Sequence, residues 1–255
     1  MSLPDGGQRH LNTLLTFDIE VWCGGWRDID DRFPAAFRRY IYGPSRAGNY
    51  ALPKTLEMLN SHGLKGVFFV EPLFATHFGL EPLAEIVGLI QDAGQEIQLH
   101  LHTEWQDEAK QPLIVKHKPK RQHLHMYNTE EQTALIAHGL RLLSEASAAP
   151  VTAFRAGSFA CNAETFTALE RNGIQYDSSL NITMGFWPGA SRRNALSGCS
   201  PHWPHRGTAG VRISQRYRGL TTFATRGLRL CRNRAGLVFS AGERMVAYQH
   251  VLAQL

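Results

Sequence analysis

No stretch of about 18 consecutive apolar residues occurs in this chain, so nothing in it reads as a membrane-spanning helix. The N-terminal MSLPDGGQRHLN has no basic region, apolar core and small-residue cleavage site in succession, so a cytoplasmic location is expected. Cysteine is scarce. Cys23, Cys161, Cys199 and Cys231 form no CxxC pair, which argues against a disulfide framework or a zinc knuckle and leaves ordinary packing roles in a reducing compartment. Lysine and aspartate are absent from residues 201–255, where nine arginines face the single Glu243, a local balance of +8. Residues 1–200 then carry −3, so the overall charge of +5 belongs to one segment and no nucleic-acid partner is expected.

What the chain does contain is one repeated unit. An amphipathic helix ends in a glycine suited to the left-handed conformation, and a short apolar run then finishes in polar residues. Leu52, Leu56 and Leu59 form such a stripe before Gly63 and the run Gly66–Val70, which is capped by Glu71. Leu83, Ile86 and Ile90 precede Gly94 and the run Glu96–Leu101. Thr129 and Gln132 read as a capping box for a helix bearing Ile136, Leu140 and Leu143, ahead of a run Val151–Phe154 that delivers Arg155. Asn162 caps a helix closed by Gly173, and Ile174–Tyr176 delivers Asp177; near the N-terminus Leu14–Phe17 delivers Asp18. Helices alternating with short apolar strands predict a single α/β domain built on a parallel sheet, with its ligand site at the carboxyl ends of the strands.

The strand ends carry the chemistry. In Gln98-Leu99-His100-Leu101-His102-Thr103-Glu104, the two-residue period of a strand sends His100, His102 and Glu104 to one side, close enough to share a cation. Asp18 and Glu20 point the same way in Thr16-Phe17-Asp18-Ile19-Glu20. Two neighbouring carboxylates repel, and a divalent cation relieves that repulsion, leaving one to ligate and the other to accept a proton. Arg155, ahead of Gly157, is placed to hold a catalytic carboxylate, and Asp177 either orders the site or caps a turn. The basic run Lys116–His125 is expected to be a solvated loop over the mouth of the site with no catalytic role.

In order, TFDIE, GQEIQLHLHTEW, FRAGSF and YDSS resemble the first four motifs of the polysaccharide deacetylases, carbohydrate esterase family 4, over about residues 13–185. The resemblance implies a deformed (β/α)7 barrel, one divalent metal, most often zinc, and removal of acetyl groups from N-acetylated carbohydrates; some members hydrolyse other amides. It makes Asp18 the general base and Glu20 the metal-ligating carboxylate, where the family more often has aspartate. His100 matches the first metal histidine. The second family histidine falls at Glu104, so the third ligand is His102 by side-chain chemistry or Glu104 by register, and His102 is preferred because zinc favours imidazole. Arg155 matches the arginine that steadies the base, and Asp177 the acidic residue of the fourth motif.

The fifth motif, which supplies a histidine general acid, has no convincing match. His202, His205 and His250 are the candidates, and only His250 follows an apolar run. Residues 1–200 are therefore expected to form a deacetylase-like catalytic domain. Residues 201–255 are expected to be a divergent or frame-altered end of the same barrel that packs poorly and is cut first by proteases. Two rival readings stand beside the enzyme: a non-catalytic carbohydrate-binding barrel, and a hydrolase of small linear or cyclic amides.

Overall fold

The computed structural model of the protein describes residues 14–179. Their centre is a five-stranded sheet of β1 (Leu15–Ile19), β4 (Gly66–Val70), β5 (Glu96–Leu101), β6 (Ala153–Ala156) and β7 (Tyr176–Asp177), in that spatial order. Every pairing is parallel. A small antiparallel hairpin, β2 (Pro44–Ser45) and β3 (Gly48–Asn49), lies between the first two sheet strands in sequence. Six α-helices make the crossovers: α1 (Ile29–Phe37), α2 (Leu52–Ser61), α3 (Ala75–Phe78), α4 (Glu81–Asp92), α5 (Thr129–Ala146) and α6 (Ala163–Arg171). Parallel strands require such crossovers, because each must carry the chain back to the same end of the sheet.

The helix boundaries follow the expected punctuation. Gly63, Gly94 and Gly173 take φ of 63°, 67° and 71° just past α2, α4 and α6, values that cost a side-chain-bearing residue about 1 kcal/mol. Asn162 caps α6 through Thr165, as read from the sequence. At α5 the expected box is displaced by one position: Asn128 is the cap, its side chain accepting from Glu131 N at 2.9 Å while Glu131 accepts from Asn128 N at 3.0 Å. Gln132 is instead fully buried, its amide donating to Tyr127 O and Asn162 Oδ1 and accepting from Thr165 Oγ1, so it joins α5 to α6.

Strand parity divides the sheet into two faces. Phe17, Phe68, Leu99, Leu101 and Phe154 belong to the apolar core under the helices. Phe17 and Phe68 stack at 4.9 Å, and Gly139 of α5 lies so close to β5 that a Cβ there would come within 3.0 Å of Leu99 and Leu101. Each fully buried Phe or Leu contributes roughly 1.5–3 kcal/mol. The alternate residues, Asp18, Phe69, His100 and Arg155, fall on the other face. The expected closure into a barrel is not seen among the described residues, and the boundary at residue 200, His202, His205, His250 and the behaviour expected of residues 201–255 fall outside them. Cys23 and Cys161 are free thiols.

Candidate active site

The inner face is laid out in rows. Asp18 stands in register with Phe69 on the neighbouring strand, and His100 with Arg155. Arg155 is 2% exposed and its guanidinium lies 4.2 Å from the centre of the Phe69 ring, which it crosses to reach Asp18. Nη1 donates to Asp18 Oδ1, Nη2 donates to Thr16 Oγ1 at 3.0 Å and to Ser178 Oγ at 2.8 Å, and Nε donates to Ser178 Oγ at 3.3 Å. The fork is thus held at all three nitrogens, and among the described residues no hydrogen bond takes the second carboxylate oxygen of Asp18. Asp18 remains 22% exposed.

Glu20, two positions beyond Asp18, meets the histidines. Its Oε2 is 2.7 Å from His102 Nε2 and 3.6 Å from His100 Nε2, well inside the roughly 10 Å beyond which one shared cation site would be untenable, since zinc ligands lie about 2 Å from the ion. The other ring nitrogen of His100 is tied down: Nδ1 lies 2.8 Å from the carbonyl oxygen of Arg155. A carbonyl only accepts, so Nδ1 carries a proton, and Nε2 is the nitrogen turned toward Glu20. His102 Nδ1 lies 3.3 Å from Glu104 Oε2. Burial opposes charge on both Glu20 and His102. For Glu20 the two imidazoles outweigh it and hold the carboxyl far below the usual range; for His102 the carboxylates of Glu104 and Glu20 outweigh it and hold the imidazole well above the usual range.

These three residues fit a small divalent cation. One nitrogen from each histidine and one oxygen from Glu20 lie within 4.8 Å of one another, a donor set that suits zinc. Glu20 Oε2 is also buried and has no hydrogen-bond partner: the close approach of His102 Nε2 does not have hydrogen-bond geometry. Its countercharge is the His102 imidazole 2.7 Å away, a place that a divalent cation held by the three residues would take over.

Asp177 is not brought to this cluster. It stands in register with Phe154, one residue before Arg155, and so takes the parity of the apolar face. Its Oδ1 accepts from Ser179 N at 3.1 Å and Ser179 Oγ at 2.5 Å, and no hydrogen bond or ion pair joins it to Asp18 or Arg155 among the described residues. Burial pushes its carboxyl up to about 6, against Ser179 and the more distant Arg155. The folded state therefore holds this proton more tightly than the unfolded chain, and the stability that it confers is lost as pH rises from about 4 through about 6. Asp177→Asn, which keeps an acceptor for Ser179 without a charge, is expected to stabilise the fold by up to about 3 kcal/mol at pH 7 and to have little effect at pH 4. Chemical denaturation at both values checks this; equal effects at the two would contradict it.

The fourth motif meets this network through its serines. Ser178 holds Arg155, and Ser179 Oγ accepts from Ala156 N at 2.8 Å. Neither serine, nor Thr16, stands out in the sequence, because a hydroxyl beside a strand end is common. Glu71, read as a strand cap, is fully buried and accepts from Leu73 N at 2.8 Å and Phe74 N at 3.3 Å; burial pushes it up to about 8, with His102 and those donors pulling the other way.

Beside His102 lies an open cleft of about 370 Å³, lined among others by Trp22, Trp26, Glu104, Gln122 and His123. Trp22 meets the His102 ring edge-on with centroids 4.8 Å apart. The basic run borders this cleft and is less solvated than expected. Lys120 Nζ sits 2.6 Å from Glu108 and 3.4 Å from the centre of the Trp26 ring, and Arg121 pairs with Glu131 at 2.9 Å while stacking on Tyr127. Lys120 and Arg121 are thereby turned back onto the protein, while Lys116 and Lys118 stay exposed.

No family model matches the chain, and no curated protein matches it. Solved structures do. A Mycobacterium smegmatis protein assigned as a polysaccharide deacetylase aligns at 22% identity and a TM-score of 0.45, over 71% of this chain and 54% of its own. A family 4 pseudoenzyme from Bacillus anthracis aligns at 18% identity and a TM-score of 0.39, over 66% of this chain and 44% of its own. A family 4 carbohydrate esterase from Streptomyces lividans, solved with acetate, aligns at 16% and 0.39, over 81% and 88%. The chain thus spans about half the length of the first two.

Proposed function

We propose that the protein is a metal-dependent hydrolase that removes N-acetyl groups from a sugar or polysaccharide, with Glu20, His100 and His102 as the metal ligands and zinc as the metal. The observation that carries this reading is the convergence of two Nε2 atoms and an orphaned carboxylate oxygen at the ends of β1 and β5, with an arginine-held aspartate two residues back on β1. Of the four motifs that resemble the polysaccharide deacetylases, two run along β1 and β5 and the other two along the neighbouring β6 and β7. A divalent cation bound there would polarise an acetamide carbonyl and lower the pKa of water.

The chain's own residues supply the rest. Asp18 takes the proton of the attacking water on the carboxylate oxygen that Arg155 leaves free. Arg155 fixes the other oxygen, so that the basic lone pair is presented in one direction. Asp177 contributes at a distance, by seating the serine turn against β6. The group that protonates the departing amine is not assigned to any described residue, and the closed barrel that the motifs imply belongs to this proposal as well.

Acetate release from N-acetylglucosamine oligomers, with zinc and with a chelator, tests the reading. Zinc-dependent release is expected. Saturable oligomer binding without release would favour a carbohydrate-binding barrel, and release from small amides alone would redirect the substrate class.

A further inference from the structure

Glu104 occupies the position at which the motif resemblance puts a second metal histidine, yet it lies at the wrong end of the His102 ring to be one. The two lone-pair directions of an imidazole diverge, and the ring separates Glu20 at Nε2, 2.7 Å away, from Glu104 at Nδ1, 3.3 Å away. One small cation held by His102 Nε2 therefore has no path to Glu104. The carboxylate instead accepts the Nδ1 proton, and Glu104 is itself only 12% exposed, so this contact is sheltered from water.

A second residue confines the same ring from below. A Cβ on Gly157 would fall 2.6 Å from His102 Nδ1 and 2.7 Å from both Cγ and Cε1. Near-equal distances to three ring atoms mean that the imidazole lies flat on the Gly157 backbone, closer than any side chain permits. Trp22 closes the ring from elsewhere with an edge-on contact, its plane at 88°. The chain then bends sharply, with Ser158 and Phe159 at φ of 54° and 55°. Left-handed backbone at side-chain-bearing residues costs about 1–2 kcal/mol each and is kept only where the surroundings demand it.

We infer that Glu104 and Gly157 are positioning residues for the metal site, Glu104 setting the tautomer and rotation of His102 and Gly157 providing the flat seat without which the ring cannot point Nε2 at Glu20. This rests on the reading of Glu20, His100 and His102 as ligands. It explains a departure from the motif: a ligand moved from the position of Glu104 to that of His102, and a carboxylate stands behind it. Partners of this kind, holding the far nitrogen of a metal-bound histidine, typically change affinity by 10–100-fold when removed.

The test is zinc affinity by competition with a chromophoric chelator, together with the visible spectrum of the cobalt(II)-substituted full chain. Wild type, Glu104→Gln, Glu104→Ala and Gly157→Ala are compared. Glu104→Ala is expected to weaken zinc binding by about 10–100-fold, and Glu104→Gln, which still accepts the Nδ1 proton, to stay close to wild type. Gly157→Ala is expected to weaken binding and alter the cobalt spectrum. Should Gly157→Ala not fold, the glutamate pair decides alone, with metal-free unfolding midpoints as the control. Wild-type affinity and spectrum in Glu104→Ala would overturn the inference, and so would equal loss in the glutamine and alanine variants, which is the behaviour of a direct ligand. A wild-type protein that binds neither zinc nor cobalt would instead overturn the metal-site reading beneath it.

Discussion

With the roles proposed above, Asp18→Asn is expected to cut acetate release by roughly 10²–10⁴-fold without loss of zinc binding, and His100→Ala to lose both. The two residues are separated by role, although Arg155 ties them together: its guanidinium holds Asp18, and its own backbone carbonyl holds His100 Nδ1. Asparagine keeps an oxygen for the arginine and so preserves the framework, but its amide is not a base. Alanine at His100 removes one of three converging ligand atoms and leaves the Arg155 carbonyl and Glu20 Oε2 facing a cavity. Metal content by elemental analysis, measured beside acetate release, separates the cases. Equal metal loss in both variants would mean that Asp18 is itself a ligand or that the roles have been exchanged.

The second large effect is expected on stability. Arg155→Met should destabilise the protein by about 3–5 kcal/mol, the usual cost of removing one partner from a buried ion pair. Methionine fills much of the volume and still packs on Phe69, so the loss is electrostatic and polar: Asp18, Thr16 Oγ1 and Ser178 Oγ lose their common donor. The 22% exposure of Asp18 lets water compensate in part, which places the expected value toward the lower end. Urea denaturation gives the number. Adding Asp18→Asn to Arg155→Met should recover part of the loss, because the stranded charge is gone; additivity of the two would show that they do not act as a pair.

Much of the layout was legible in the sequence because it rests on local rules. The strands Gly66–Val70 and Glu96–Leu101 and the glycine stops at 63, 94 and 173 lie where hydrophobic period and left-handed backbone place them. His100 and His102 were readable as a pair because a strand's period of two puts alternate residues together, and Asp18 and Glu20 likewise. Asp177 shows the limit of the same rule. Ending a strand says nothing about which face a residue takes; that is fixed by register with β6, where it aligns with Phe154 and not Arg155. The helix start at Asn128 was missed by one residue because Thr129 is an equally good cap by type, and only the pairing with Glu131 decides. Glu104 was ambiguous for a different reason: a carboxylate beside a histidine can face the ion or stand behind the ring, and spacing alone does not distinguish the two.

The reach of Arg155 across Phe69 also bears on how the chain acquires its site. Asp18 and Arg155 are 137 positions apart in sequence, and Thr16 and Arg155 are 139 apart, so this knot closes nearly the whole described span. Loop closure over such distances costs entropy that no local contact repays, and it slows folding in proportion to how much of the structure depends on it. The histidine strand can pair with β4 early, since only α3 and α4 intervene, but Asp18 gains its arginine only after β6 has docked beside β5. During synthesis β1, β4 and β5 could thus pair before β6 is made, but the His100 ring, held by the Arg155 carbonyl, the His102 ring, seated on Gly157, and the orientation of Asp18 would all be fixed only when β6 docks, so chemical competence would be among the last properties that the protein gains.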